Sequence, residues 1–274
     1  MRSIKGFLII IVAFASFAFI SLDAKALPTI PNHDQILVQY GKSSDLEIRV
    51  DRELRITIWN VQKFTNGPAY RDLFKFATNS DLVLLQESMM GENYASYYTG
   101  MTGLTWTGAI SFFDGPSGTG VMTASRAKPT YEGFVQSEAR EPIFSTPKMI
   151  AITKYKIAGS SDELMVANIH GINFVTTWIY ESQIAQLKKA VKNHKGPLIV
   201  TGDFNTHMPD RYLVIKDMAD SLGLKYVLME NQRFDYLILD HIFVRGLETK
   251  SARVLYEVNT SDHYPLEFTG QLTH

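Results

Sequence analysis

Leu198-Ile199-Val200-Thr201-Gly202-Asp203-Phe204-Asn205 reads as a strand that runs into a polar turn. Its first four residues are apolar or β-branched, and Gly202 punctuates the run just before two polar side chains. Polar groups at the C-terminal edge of an apolar strand stand where a loop can hold functional side chains on a rigid frame. The same design recurs outward in both directions. Ile56-Thr57-Ile58-Trp59-Asn60 ends in an Asn, Leu82-Val83-Leu84-Leu85-Gln86-Glu87 in a carboxylate, and Met165-Val166-Ala167-Asn168-Ile169-His170 in an imidazole. Tyr236 to Val244 carries Asp240 inside a nearly continuous apolar run, and Ser261-Asp262-His263 stands just before Pro265.

Short β-rich runs occur at 55–61, 81–86, 118–124, 149–157, 163–170, 197–203, 236–244 and 252–258. Helical spacing interrupts them over Pro68 to Thr78, Thr176 to His194 and Asp210 to Leu222. Strands with inserted helices imply a layered α/β domain, and the pattern leaves open whether its sheets are parallel or mixed. With no repeat and no composition break, residues 54–274 read as one domain, and 27–53 as a linker or peripheral strand.

Export is expected from the N-terminus. Arg2 and Lys5 precede an apolar run from Phe7 to Leu22, and Ala24-Lys25-Ala26 follows as a small-x-small cleavage site. Residues 1–26 are read as a secretory signal, or else as a retained anchor that associates the protein with a membrane. Either way the domain is secreted or periplasmic. The absence of cysteine excludes disulfides and thiolate metal sites. Charge is balanced, 27 Lys+Arg against 28 Asp+Glu, so no broad basic footprint for nucleic acid is visible. Walker, His-Glu-x-x-His and Gly-x-Ser-x-Gly motifs are absent.

Taken singly, each polar residue has a plain explanation as turn chemistry or a solvated loop. Asp240 is harder to dismiss, because a carboxylate within an apolar strand must have a partner. The ordered set decides: Asn60, Glu87, His170, Asp203, Asn205, Asp240, Asp262 and His263. With the strings Ile58-Trp59-Asn60, Leu85-Gln86-Glu87, Asn168-Ile169-His170, Gly202 to Asn205, Leu239 to Val244 and Ser261 to His263, it resembles the endonuclease/exonuclease/phosphatase superfamily. That superfamily includes deoxyribonuclease I, neutral sphingomyelinases and inositol polyphosphate 5-phosphatases. The resemblance extends over roughly residues 54–270 and is nearest to exported bacterial members without a settled substrate. Those share Gly120-Val121-Met122-Thr123, Ile169 to Phe174, and Arg245-Gly246-Leu247.

The resemblance implies a four-layer α/β sandwich, two packed mixed β-sheets flanked by helices, and a monomer. It also implies a metal-dependent phosphoesterase. Glu87 would hold Mg²⁺ or Mn²⁺, with Asn60 and Asp262 completing or supporting the metal site. Asp203 would orient and deprotonate the attacking water, and Asn205 would fix the phosphate. His170 and His263 would donate hydrogen bonds to phosphate oxygens, with Asp240 orienting His263. Members that cleave abasic DNA carry Asp where this chain has Gln62 and Tyr where it has His170, so the resemblance points away from abasic-site repair. A nuclease is the first expectation. A phospholipid (sphingomyelinase-like) or inositol-phosphate phosphoesterase is the alternative, and a non-catalytic binding module the third. Retention of the whole residue set argues against the third.

Overall fold

The structure, a computed structural model, describes residues 27–233, 237 and 239–273. The expected export segment, 1–26, lies outside the described residues, as do positions 234 and 235 and, from the run read as a strand over 236–244, positions 236 and 238.

Thirteen strands and four α-helices are described. In the first half they are β1 (Leu37–Gly41), β2 (Leu54–Asn60), α1 (Ala69–Asn79), β3 (Leu82–Met90), α2 (Glu92–Gly100), β4 (Thr105–Asp114), β5 (Ser117–Ser125) and β6 (Pro129–Gln136). The second half adds β7 (Met149–Lys156), β8 (Glu163–His170), α3 (Thr177–Val191), β9 (Leu198–Asp203), α4 (Pro209–Leu222), β10 (Lys225–Tyr226), β11 (Asp240–Arg245), β12 (Leu247–Val254) and β13 (Leu266–Leu272).

They form two mixed sheets, one ordered β1-β4-β5-β3-β2-β13-β12 and the other β10-β11-β9-β8-β7-β6. β2 pairs parallel with β3 and β8 parallel with β9, while the other strand pairings are antiparallel. Helices cover both outer faces, giving the four-layer α/β sandwich that the resemblance implies. The segment read as a linker or peripheral strand contains β1, which edges the first sheet against β4.

Side-chain alternation explains why the central strands are apolar throughout. Ile56 and Ile58 of β2, Leu82 and Leu84 of β3, Leu164 and Val166 of β8, and Ile199 of β9 pack together between the sheets. Val83 and Leu85 point outward to α1, whereas Met165, Ala167, Leu198 and Val200 point outward to α3 and α4. Each of these strands is therefore buried on both faces. The same period of two carries a consequence. Asn60, Gln86, Asn168, His170, Thr201 and Asp203 continue the inward-facing series, so at one end of the sandwich the apolar core gives way to polar groups. Asn168 ties the sheets together there. Its amide donates to the backbone carbonyls of Leu85 and Met122, both at 3.1 Å, and its oxygen accepts the Gln86 amide at 2.6 Å.

Two readings shift. The last expected run, 252–258, is a strand over Leu247–Val254, because the chain turns at Tyr256-Glu257. Asp240 opens its strand rather than sitting within it.

Candidate active site

Five strands meet at the polar end of the sandwich, four by an end and β3 by its interior, since it continues past Glu87 to Met90. β2 ends at Asn60 beside Gln86 of β3, β8 ends at His170 beside Asp203 of β9, and Asp203 faces Asp240 at the start of β11. The loop before β13 supplies His263. Above them opens a cavity of about 410 Å³, whose lining includes Glu87, His170, Asp203, Asn205, Asp262 and His263.

Glu87 breaks the alternation. Strict period two would send it outward after Gln86, but β3 carries a register shift between Leu85 and Ser88, and Glu87 takes a left-handed backbone, φ 51°. A bulge of this kind re-aims a side chain, and the carboxylate opens onto the cavity with 27% of its side chain exposed. Gly202 has a complementary reason to be glycine. Its φ is 133°, and a Cβ there would lie 2.1 Å from the Ile169 carbonyl oxygen, so only glycine lets β9 approach β8 just before Asp203.

Asn60 and Asp203 meet directly. The Asn60 amide Nδ2 donates to Asp203 Oδ2 at 3.0 Å and lies 3.5 Å from Glu87 Oε1, while its Oδ1 accepts the Gln62 backbone N–H. Asn60 therefore turns its donor toward the site and bridges two carboxylates. Asp203 Oδ1 accepts the Asn205 backbone N–H at 2.9 Å. Burial, and then the neighbouring Asp240 carboxylate, raise the Asp203 pKa well above the usual carboxylate range. His170 Nε2 lies 3.5 Å from Asp203 and 3.8 Å from Glu87. Burial, with Lys148, His263 and Lys63 nearby, holds its pKa well below the ordinary value and keeps the ring neutral.

The Asp240–His263 pair is bonded, with Oδ2 to Nδ1 at 2.7 Å, and His263 Nε2 points toward Asp203 at 3.9 Å. Burial alone would lower the His263 pKa. Asp240, with help from Asp203 and Asp262, reverses that and pushes it up to about 10. The Ser-Asp-His loop is pinned to β2, because Trp59 Nε1 donates to the His263 carbonyl at 2.9 Å and Ser261 Oγ donates to the Asn60 carbonyl at 2.7 Å. Asp262 is exposed on the cavity wall.

Asp203, Asp240 and His263 bring ligand atoms within 4.8 Å of one another, a spacing short enough for a metal ion. The 2.7 Å contact is the length of a charge-assisted hydrogen bond, which fits Asp240 and His263 as an orienting pair, although the second Asp240 oxygen is left without a hydrogen-bond partner among the described residues. The residues that fit a divalent cation are the carboxylates open to the cavity, Glu87 and Asp262, each with one oxygen that accepts only a long hydrogen bond, from Asn60 at 3.5 Å and from Ser261 at 3.3 Å. Hard cations take such oxygen donors.

Some site residues escape sequence reading. Asn173 donates from Nδ2 to Asn205 Oδ1 at 2.9 Å, and Asn205 Nδ2 donates to the Gly171 carbonyl, so Asn205 is engaged at both ends of its amide. Buried Arg211 of α4 donates to the carbonyls of Ile172, Asn205 and Val175 and stacks over Tyr180, its guanidinium carbon 4.7 Å from the ring centroid. Lys63 lines the cavity from a run of three left-handed residues, Gln62, Lys63 and Phe64. An Arg at the start of a helix carries no signal for such a role. His241 lies in the core, buried among Phe204, Tyr212 and Tyr226.

A family model described as the Endonuclease/Exonuclease/phosphatase family matches residues 58–263. A UPF0294 protein of Vibrio campbellii is 31% identical, with 94% of this chain and 93% of that protein covered. The human Nocturnin catalytic domain with bound sulfate superposes with a TM-score of 0.61 at 19% identity, covering 83% of this chain and 96% of that domain. A mannosyl-6-phosphatase of Bacteroides thetaiotaomicron, with a TM-score of 0.58 at 15% identity, covers 79% of this chain and 99% of that one.

Proposed function

The chain belongs to the endonuclease/exonuclease/phosphatase family of phosphoester hydrolases, and from that premise we propose that it cleaves a phosphodiester, in a nucleic acid, by direct attack of water. The observation that supports this most is the convergence of Glu87, His170, Asp203 and the Asp240–His263 pair, from separate elements, on one cavity.

Glu87 would hold Mg²⁺ or Mn²⁺, with Asp262 completing the shell directly or through water. The ion, when bound, neutralises charge on the phosphoryl oxygen and the leaving group. Asp203, fixed by the Asn205 N–H and the Asn60 amide, orients water and takes its proton. His170 and His263 present Nε2 beside Asp203, where each can donate to a phosphate oxygen as negative charge builds. Asn173 and Asn205 form one bonded unit that shapes the wall around the phosphate.

The test incubates purified protein with Mg²⁺ or Mn²⁺ against plasmid DNA, RNA, sphingomyelin and inositol phosphates in parallel. Cleavage of DNA or RNA is expected. Glu87→Gln should raise the half-saturating metal concentration by more than about 10-fold, and full turnover after exhaustive chelation overturns the metal requirement. Cleavage of sphingomyelin alone would favour the second reading, a phospholipid diesterase, which the exposed Ile143, Phe144 and Phe174 at the cavity mouth support.

Export rests on the order of residues 1–26. Fractionation with mass spectrometry should find the chain outside the cytoplasm, beginning at Leu27 if the signal is cleaved. An intact N-terminus in the soluble cytoplasmic fraction refutes it.

A further inference from the structure

Seven non-glycine residues among those described have a left-handed backbone: Gln62, Lys63, Phe64, Glu87, Ser145, Phe174 and Asn205. Each lines the active-site cavity or is the chain neighbour of a residue that does. Asn tolerates this conformation and Glu87 is explained by its bulge, but for a bulky aromatic it is a costly outlier. Phe174, at φ 55°, gains little in return from packing, since it is 68% exposed. A strained backbone beneath an unburied ring calls for a reason outside the folding of the domain.

The backbone that carries the ring is held in place. Asn173 is tied on both sides: its backbone N–H donates to Glu141 Oε1 at 3.0 Å and its amide to Asn205 at 2.9 Å, while its Oδ1 accepts the Phe174 N–H at 2.8 Å. Glu141 lies in the loop that carries Ile143 and Phe144, 74% and 58% exposed, which line the same cavity. Lys148, paired with Glu141 at 3.4 Å, and Lys63 add positive charge to it.

We infer that Phe174 is the stacking face of a subsite for a planar heterocyclic ring attached to the phosphoester, a nucleobase, next to the phosphate held by His170 and His263. This rests on the phosphoesterase reading and narrows it. A held backbone at Phe174 sets where the ring leaves the chain, which matters for stacking, where offset and tilt set the energy, and is unnecessary for a side chain that merely dips into fluid lipid. The subsite admits one splayed base, so unpaired nucleotides are accepted ahead of bases locked in a duplex. That agrees with a chain lacking the basic footprint needed to track a duplex.

The test is calorimetric binding of adenosine 5′-monophosphate and ribose 5-phosphate, which differ only by the base, to the full-length protein. Wild type should prefer the nucleotide by roughly 5- to 150-fold, the span of base–aromatic stacking. Phe174→Ala should abolish that preference with ribose 5-phosphate affinity unchanged, and Phe174→Trp should keep it. Phe174→Gly should also lose it while melting at a higher temperature than Phe174→Ala, because glycine accepts the positive φ. Equal affinities in wild type, or a preference that survives in Phe174→Ala, overturn the subsite while leaving the phosphate site standing. Failure of both ligands to bind removes the phosphate site and the subsite with it. Phosphatidylglycerol vesicles captured by wild type and lost in Phe174→Ala, with no preference for the base, would assign the rim to a membrane instead.

Discussion

Asp240 is 3% exposed, and its hydrogen bond is the 2.7 Å contact with His263; its other oxygen has no hydrogen-bond partner among the described residues. A carboxylate so placed acts through its imidazole, so the two residues should behave as one unit under mutation. His263→Ala is expected to lower kcat by about 10²–10³, the loss of one preorganised transition-state donor. Asp240→Asn should also be severe, because an amide can stabilise the wrong tautomer. Once His263 is gone, removing Asp240 should cost little further activity. Single effects that multiply in the double mutant, with folding intact, would show that Asp240 serves another purpose. His241, on the opposite face of the same strand, is a stability residue. It bonds Thr206 at 2.6 Å and Tyr226 at 3.2 Å, and burial pulls its pKa down to about 4 from 6.5. As pH falls through 6.5, the unfolded chain binds a proton that the folded chain refuses. Stability present above pH 6.5 is therefore lost toward pH 4, by on the order of 3 kcal/mol in the limit. Because the raised His263 and Asp203 act in the opposite sense over this window, the readout is the difference between wild type and His241→Gln in urea titrations from pH 7 to 5, which should shrink as pH falls; a difference independent of pH would acquit His241.

α4 shows how an element secures chemistry that it does not perform. Arg211, in its first turn, gathers the Ile172 and Val175 carbonyls from the loop after β8 and the Asn205 carbonyl from the loop after β9. Arg211→Met should cost about 2–4 kcal/mol, since buried carbonyls lose their donor, and should lower turnover as Asn205 and Asn173 lose their support. Arg211→Lys should not restore either, because an ammonium lacks the planar fork that spans separate acceptors. An unfolding free energy within about 0.5 kcal/mol of wild type would contradict this. Elements of this sort divide what could be read from the sequence from what could not. β2, β3, β8 and β9 were legible because burial on both faces makes them apolar and their polar ends abrupt. α2 was not, since Glu92–Gly100 buries only Tyr98 and has no apolar stripe. β4, broken by Gly108 and Ser111, and β6 lack a clear run. At the site, Asn60, Glu87, His170, Asp203, Asp240 and His263 were legible as an ordered set that resembles the family's, although Glu87 lies within β3 and His263 in the loop before β13. Lys63, Asn173 and Phe174 were not, because their placement depends on left-handed turns and loop-to-loop bonds that no local spacing encodes.

Across the whole molecule the site belongs to neither sheet alone. Asn60 and Glu87 come from the first sheet, whereas His170, Asp203 and Asp240 come from the second. The second sheet is built from one unbroken stretch of sequence, β6 to β11, and the first closes only when β13 slots between β2 and β12. A chain ended at Val254 lacks both His263 and that joining strand, leaving the open edges of β2 and β12 apart. It should be inactive and insoluble, and a soluble, active truncation would contradict the account. Synthesis runs from the N-terminus, so His263 and the strand that completes the first sheet are made after the other twelve described strands. Until β13 is made, the edges of β2 and β12 stay unjoined and His263 has no strand to hold its loop, so the last strand of the sheet and the last imidazole of the site arrive together.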